Sequence, residues 1–305
     1  MLGKNYIYKW YDLGDSVGKI KSFALQDNTK NASIRGGVFT FANSFWSIAG
    51  SRIAESRLFD FTGRVHDVNP ATRELRREEL SNVFKIESNF NDQRYFDLNW
   101  ETKTGRRRTT KAMVFRPLEA SNWLCNPVID WNFQLYSPDP RVYDPLQQIR
   151  TWWLSQAWWT TLAFTIPSPF GNNSSSAWIL TTNSWNRDAP CKITVDWFVV
   201  NPKIYIISNG VVKYFLEINK STTRLVVDNT NTTAENSDER FVVTDNGANI
   251  KQFRLPWWGW PLFIPWNNSA QLWAQTSQVL VLATNYVTAR NNTTVTVEYR
   301  NTFSY

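Results

Sequence analysis

The sequence predicts a mainly β protein that contains one amphipathic helix. Apolar and polar residues alternate along several short segments, and this alternation is typical of strands with one buried and one solvated face. Asparagine–glycine pairs, which favour tight turns between strands, occur at 209–210 and 246–247. One segment, residues 70–84, has the apolar spacing of a helix. We therefore expect antiparallel sheets in sandwiches or barrels.

The helix is predicted to begin at Pro70, which suits the first helical position because it lacks an amide hydrogen. Asn69 precedes it and can accept a hydrogen bond from the first helical amides. Charged residues fill the other faces of the segment, and its apolar residues form a narrow stripe that we expect to pack on one sheet. The stripe comprises Leu75, Leu80, Val83 and Phe84.

Four segments show the strand alternation most clearly. In one of them Ile193, Val195 and Trp197 are apolar, while the residues between them are polar. Successive side chains of a strand point to opposite faces, so each segment is expected to place one face in a core. The four segments are 95–100, 131–135, 192–197 and 294–299.

A domain boundary is predicted near residues 137–140. Pro138 and Pro140 interrupt the strand that begins at Trp131, and proline cannot donate to the hydrogen-bond ladder of a sheet. Further along the chain, residues 171–176 are predicted to form a flexible loop. The region after the boundary is therefore expected to contain its own set of strands.

The formal net charge is +7, but lysine and arginine are scattered except at Arg106, Arg107 and Arg108. Nucleic-acid-binding proteins usually concentrate their basic residues on one face or tail, so direct nucleic-acid binding is disfavoured. The stretch 103–108 surrounds Gly105 and is predicted to be the tip of a hairpin.

Aromatic residues are abundant, with 17 tryptophans in 305 residues. Paired tryptophans on an open surface would promote aggregation, so we expect these residues to be buried at a core edge or covered by a subunit or partner. Stacking of exposed indole rings on sugars is the alternative. Two segments concentrate them, and the residues concerned are Trp152, Trp153, Trp158, Trp159, Trp257, Trp258, Trp260 and Trp266.

The sequence contains no recognisable catalytic, metal-binding or cofactor-binding motif, and we expect a protein that is not an enzyme. His66 is the single histidine, so a Ser-His-Asp or Cys-His site would depend on it alone. Cys125 and Cys191 are isolated, and the glycine pair at 36–37 lacks the spacing of a phosphate-binding loop. The N-terminus lacks a signal core, and no stretch approaches the roughly 18 apolar residues of a membrane helix. Synthesis in a cytoplasm without membrane insertion is predicted.

The order of several short motifs resembles the distal tail proteins of siphophages. The most specific match is 131–143, a strand that ends in Asp139-Pro140-Arg141-Val142-Tyr143. Before it lie the strand 57–65 and the helix. The motifs of the second half are at 186–190, 192–197, 201–204, 225–228, 246–247, 261–268 and 295–300.

This resemblance implies two domains. Residues 1–143 are expected to form an N-terminal ring-forming domain, a β-sandwich or split barrel with one helix. Residues 144–289 are expected to form a galectin-like β-sandwich, and the final strand, about 290–305, can return to the first domain. Galectins bind sugar with a histidine, an asparagine, an arginine and a tryptophan. No histidine occurs in residues 140–305, so the second domain is expected to be a docking scaffold.

The resemblance also implies a structural virion protein at the tail tip, made in the host bacterial cytoplasm. Six copies are expected to form a ring that joins the tail tube to the tip or baseplate and anchors host-recognition proteins. The basic stretch would contact an acidic patch on a neighbouring subunit or the tube, or remain a solvated loop. The expected partners are sister copies, the tail tube protein, the tape-measure C-terminus, the tail-tip or tail-associated lysin protein and receptor-binding or fibre proteins, while genome DNA only passes through the lumen.

Rival interpretations remain at this point. A carbohydrate- or receptor-binding tail module would use Trp257, Trp258, Trp260 and Trp266 as exposed platforms. A viral capsid jelly roll would share the β-rich, aromatic composition, but the helix at 70–84 and the lack of a basic N-terminal arm argue against it.

Overall fold

The computed structural model contains one α-helix and 24 short or long strands among the residues that it describes. The chain divides into two compact units, residues 1–145 with residue 305, and residues 146–304. The described residues are 4–9, 11–13, 24–27, 34–35, 38–40, 47–49, 53–54, 56–66, 69–85, 95–120, 128–139, 141–156, 175–183, 187–231, 240–255, 262–265, 277–283 and 293–303.

The first unit holds the helix and eleven strands, and a twelfth strand, β12, begins in it and continues into the second unit. Its elements are β1 (Lys4–Tyr8), β2 (Tyr11–Asp12), β3 (Ala24–Asp27), β4 (Ile34–Arg35), β5 (Val38–Thr40), β6 (Ser47–Ala49), β7 (Ile53–Ala54), β8 (Arg57–His66), α1 (Pro70–Val83), β9 (Phe96–Glu101), β10 (Arg107–Ala120), β11 (Val128–Ser137) and β12 (Val142–Trp153).

The second unit is built from the remaining strands and one turn of 3₁₀ helix, Lys251–Phe253. Its strands are β13 (Ser155–Gln156), β14 (Ser175–Thr181), β15 (Ala189–Val199), β16 (Lys203–Ser208), β17 (Val211–Ile218), β18 (Thr222–Asp228), β19 (Val242–Asp245), β20 (Ala248–Asn249), β21 (Arg254–Leu255), β22 (Phe263–Ile264), β23 (Ser277–Ala283) and β24 (Thr294–Phe303). The predicted mainly β class is confirmed.

The predicted helix is present with the predicted cap, since Asn69 Oδ1 accepts a hydrogen bond of 3.0 Å from the amide of Ala71. Leu80 and Val83 are buried, as is Phe84 at the C-cap. Leu75 is 55% exposed, however, so its predicted place in the apolar stripe is wrong. Leu75 precedes Leu80 by five residues, which turns its side chain about 140° away around a helix of 3.6 residues per turn.

In the first unit β10 is shared by two groups of strands. Its first half lies in the order β2-β1-β9-β10, and its second half pairs with β11, which is followed by β8 and β3. The alternation predicted at 95–100 and 131–135 is confirmed, because Leu98, Trp100, Phe133 and Leu135 are buried. Aromatic rings fill the core between these strands and α1.

In the second unit two sheets enclose an aliphatic core. One has the order β12-β24-β15-β18-β19-β20, and the other has the order β13-β14-β23-β16-β17-β21. Ile193 and Val195 of β15 are buried in this core, as predicted. The alternation predicted at 294–299 is also confirmed, because Val295, Val297 and Tyr299 face the same core. In the described part of the chain, no helix is long and apolar enough to cross a membrane.

Candidate functional site

The described residues contain no cluster of three or more histidine, cysteine, aspartate or glutamate side chains that could hold a metal ion. Cys191 is buried, and its Sγ donates to the carbonyl of Leu262 at 3.3 Å. Burial, reinforced by the negative charge of Asp228, raises the pKa of this thiol far above its usual range. A thiol that stays protonated is a poor nucleophile, so Cys191 has a packing role.

The predicted hairpin tip is present between β9 and β10. The amide of Gly105 donates to the carbonyl of Thr102 at 3.0 Å, and the amide of Thr102 donates to the carbonyl of Arg106 at 2.8 Å. Gly105 has a φ of +81°, a left-handed conformation that glycine adopts without steric cost. Thr102 Oγ1 also accepts from the amide of Arg106 at 3.1 Å, which adds a side-chain bond to the backbone bonds of the tip.

The three arginines that follow do not form one solvent-facing cluster. Arg106 and Arg107 are exposed, but Arg108 is only 5% exposed and its guanidinium donates to the carbonyl of Arg107 at 2.8 Å. Arg107 lies opposite Glu101 in the strand register. The exposed basic surface therefore consists of Arg106 and Arg107 with Lys103, and the predicted interface role of all three arginines stays a prediction.

Hydrogen bonds link the described residues of the motif that carries the family resemblance, Asp139 to Tyr143. The amide of Arg141 donates to Asp139 Oδ1 at 3.0 Å, and the hydroxyl of Tyr143 donates to Asp139 Oδ2. Ser137 Oγ donates to the carbonyl of Asp139 at 2.8 Å. Asp139 is buried, and the donors from Arg141 and Tyr143 compensate for the removal of its carboxylate from water.

Strand β12 carries the largest stretch of exposed apolar side chains in the described residues. We define the β12 strip as Leu146, Ile149, Trp152 and Trp153, which are 70%, 59%, 56% and 58% exposed. Two of the tryptophans predicted at an interface thus lie on an open surface. Exposed apolar groups of this size normally mark a binding surface or an aggregation liability.

Contacts with β24 assign a face to each residue of the strip. Thr151 Oγ1 lies 3.1 Å from Thr296 Oγ1, on the face opposite to the buried Val295 and Val297. Because side chains alternate along a strand, Ile149 and Trp153 share the outer face with Thr151. Leu146 and Trp152 occupy the core-side face, where they nevertheless remain exposed. The strip therefore presents apolar groups on both sides of one strand.

The sheet formed by β14, β23, β16 and β17 has a second buried apolar face, on the side away from the main core. Tyr205, Ile207, Leu280 and Leu282 form its centre, and Trp178, Val212 and Phe215 pack against it. Sugar sites need converging hydrogen-bonding groups beside an aromatic platform. These side chains offer hydrocarbon and little polar surface, and the docking role expected of this domain stays a prediction.

The tryptophan-rich segment 255–268 is described only at residues 255 and 262–265. There Leu262 and Ile264 are buried, and two buried asparagines bind their carbonyls. Asn229 Nδ2 donates to Leu262 O at 2.7 Å, and Asn183 Nδ2 donates to Ile264 O at 3.2 Å. Sequence reasoning missed both asparagines, because nothing distinguishes them in a chain rich in asparagine. Trp158, Trp159, Trp257, Trp258, Trp260 and Trp266 lie outside the described residues.

No family model and no curated protein matches this chain. Among solved structures, it is similar to the Dit protein of phage SPP1, which is described as a paradigm of the hub adsorption apparatus in phages that infect Gram-positive hosts. The two sequences are 12% identical, the match covers 98% of each chain, and the TM-score is 0.59. It is also similar to the phage P2 baseplate in its activated conformation with Ca, with 6% identity and a TM-score of 0.41 over 90% of this chain and 92% of that chain. The first likeness shows that the fold of the SPP1 protein extends through nearly the whole chain, as the motif order indicated.

Proposed function

We propose that this chain is a structural subunit of a bacteriophage tail tip, of the distal tail protein type. The observation that carries the proposal is the likeness in fold to SPP1 Dit over 98% of both chains. A match of this length includes both compact units and the Asp139–Tyr143 motif of the first unit. The protein then acts by assembly and not by catalysis.

In this proposal six copies form a ring at the end of the tail tube, in the virion, after synthesis in the host cytoplasm. The ring joins the tube protein and the tape-measure C-terminus to the tail-tip or lysin protein, and it anchors receptor-binding or fibre proteins. Residues 1–143 form the ring-making domain and residues 144–289 the docking scaffold. The exposed apolar strip of β12 supports a role in assembly, because an isolated soluble protein gains nothing from it.

Native mass spectrometry and negative-stain microscopy of the purified full chain test this function. A hexamer of the 35.6 kDa chain with a central opening is the expected result. The masses should rise from monomer to hexamer as concentration increases, because closed rings form cooperatively from identical contacts. A monomer at every concentration, alone and mixed with its tail tube protein, would contradict the proposal.

A further inference from the structure

The hairpin between β9 and β10 carries a local excess of positive charge in the first unit. We define the basic tip as Lys103, Arg106 and Arg107, whose side chains are all exposed. Glu101 is the one acidic residue of the segment 101–107, and it lies opposite Arg107 in the strand register. Three exposed cations therefore face a single half-buried carboxylate, and the basic tip keeps a net positive charge at neutral pH.

Hydrogen bonds within the hairpin hold the basic tip in one shape. The amides of Thr102 and Gly105 donate to main-chain carbonyls of the hairpin, and the amide of Arg106 donates to Thr102 Oγ1. The hydroxyls of Thr102 and Thr104 lie 2.9 Å apart and form a further bond. A backbone that is ordered before binding loses less conformational entropy when a partner docks, so this hairpin presents its charges at a low cost.

The described carboxylates of this chain are poorly suited to receive the basic tip of another copy. Most of the closest candidates already form ion pairs with a lysine or arginine of the same chain. Six carboxylates are paired in this way: Glu74, Asp97, Asp139, Asp196, Glu217 and Glu298. A basic tip would have to compete with these internal pairs, whereas a different protein with unpaired carboxylates offers its full charge.

The donors of the basic tip fit carboxylates better than a nucleic-acid backbone. Proteins usually bind phosphodiesters with main-chain amides and hydroxyls in addition to lysine and arginine. Here the amides of Thr102, Gly105 and Arg106 and the two threonine hydroxyls take part in bonds within the hairpin. The basic tip thus offers mainly cationic side chains, and a guanidinium group can form paired hydrogen bonds with a carboxylate.

We infer that the basic tip binds an acidic surface of a protein other than this chain. The inference rests on the proposed function, in which residues 1–143 make the ring and the ring joins further tail proteins. Arg108 takes no part in the contact, because it is buried and its guanidinium donates to the carbonyl of Arg107. Exposed ion pairs contribute little affinity each, so the contact mainly orients the partner and speeds its docking.

The test measures binding of a fluorescein-labelled oligoglutamate peptide to the purified full chain by fluorescence anisotropy at low ionic strength. The variant Lys103→Gln/Arg106→Gln/Arg107→Gln removes the charges of the basic tip and keeps side chains of moderate length. Its affinity for the peptide should fall about tenfold, because three exposed ion pairs are lost together. The difference from the wild type should shrink as salt is added, since salt screens exposed charges.

The matched control is Lys85→Gln/Arg116→Gln/Lys213→Gln. These three residues are also exposed, but they lie on separate elements, and their substitution removes the same total charge. The control variant should bind the peptide with nearly the affinity of the wild type. Equal losses in the two triple variants would show that overall charge alone attracts the peptide, and this result would overturn the inference.

Glu101→Gln gives a result that partial unfolding cannot imitate. It removes the carboxylate that competes with the partner for Arg107, so the peptide should bind a few-fold more tightly than it binds to the wild type. Unchanged or weaker binding would count against the inference. Duplex DNA of equal net charge serves as the second probe, and DNA that binds more tightly than the peptide through the same three residues would make nucleic acid the partner instead.

Native mass spectrometry separates this inference from the proposed ring. The triple variant of the basic tip should form the same oligomer as the wild type, because its partner is a different protein. If the wild type assembles and this variant does not, the basic tip is a contact between copies, which overturns the inference and leaves the ring intact. A wild-type chain that never assembles would overturn the ring, while the peptide measurements would still decide whether the basic tip binds acidic protein.

Discussion

The two units of this chain have cores of different composition. The core of the first unit is a series of aromatic rings in contact. The ring centroid of Phe61 lies 5.1 Å from those of Tyr6 and Phe133, and the ring centroids of Phe133 and Phe84 lie 3.9 Å apart. Among the described residues, the main core of the second unit consists mainly of isoleucine, valine and leucine, and Tyr299 and Phe241 are its aromatic members. Sheet packing explains part of this difference, since the space between two sheets packed face to face is readily filled by branched aliphatic side chains.

The difference teaches how each core depends on its members. A few large rings, each contacting several others, make the first core dependent on single residues. Many small side chains, each replaceable by one of similar volume, make the second core tolerant. Substitutions with progressively smaller expected effects can test whether the second core tolerates change better than the first. Hydrogen exchange can be followed separately in peptides from residues 1–145 and 146–304.

Phe133→Ala should have the largest effect. Phe133 is fully buried between Phe61 and Phe84, so its removal leaves a cavity that those rings cannot fill. The expected loss is about 3–5 kcal/mol in the free energy of unfolding of the first unit. Exchange should accelerate in peptides from residues 1–145, with little change in peptides from the second unit. An equal acceleration in both would show that the two cores unfold together and would remove the basis of the comparison.

Asn229→Ala should have the next largest effect, in the second unit. The amide group of Asn229 donates to Leu262 O and accepts from the amide of Cys191 at 2.8 Å, and its loss leaves both groups buried without these bonds. The expected cost is about 1–3 kcal/mol. Calorimetric unfolding should show the shift, and Asn219→Ala, at an exposed position, is the control. Identical melting of the two variants would contradict the anchoring role.

Ile193→Val should cost only about 0.5–1.5 kcal/mol, because one methyl group leaves a tightly packed aliphatic core that can adjust. The urea concentration at half unfolding measures it. A loss as large as that of Phe133→Ala would show that the second core is no more tolerant than the first.

Asp245 should contribute the smallest and the only pH-dependent effect of the series. Burial works to raise its pKa, but hydrogen bonds from the amides of Arg224 and Thr223 outweigh it and hold the pKa below the ordinary value of 3.8. A lowered pKa in the folded state stabilises the protein above the unfolded-state pKa, and this contribution disappears as pH falls through the folded-state pKa. The melting temperature of Asp245→Ala should therefore be slightly below that of the wild type at pH 7. This difference in melting temperature should disappear as the pH falls below 3.8.

The control for this pH effect is Asp97→Ala, which removes an exposed carboxylate that pairs with Lys111 at 3.0 Å. Surface ion pairs contribute little to stability, so its melting temperature should stay close to that of the wild type at both pH values. If the melting temperature of Asp245→Ala lies as far below that of the wild type at low pH as at pH 7, the lowered pKa of Asp245 is not the cause of the difference.

Local patterns predicted much of the secondary structure. The alternation around Ile193 and Val295 and the cap at Asn69 need only neighbouring residues, and the structure confirms all three. The burial of Arg108 and the exposure of Leu75 were not predictable, because each depends on which distant segment lies against the side chain. For the same reason the sequence indicated tryptophan pairs that need cover but could not tell which of them lie open.

By itself, the sequence determined the class of the fold, the position of the helix and the order of motifs that resembles the distal tail proteins. These follow from periodicity and turn chemistry, which act over a few residues. Only the tertiary structure decided that Asn229 binds the segment at Leu262, that Cys191 is sealed in a core and that β12 exposes both of its faces beside β24. Those results depend on pairings between residues up to 151 positions apart, as between Gln147 and Glu298. The energies of such pairings come from packing and hydrogen bonding that no local pattern encodes.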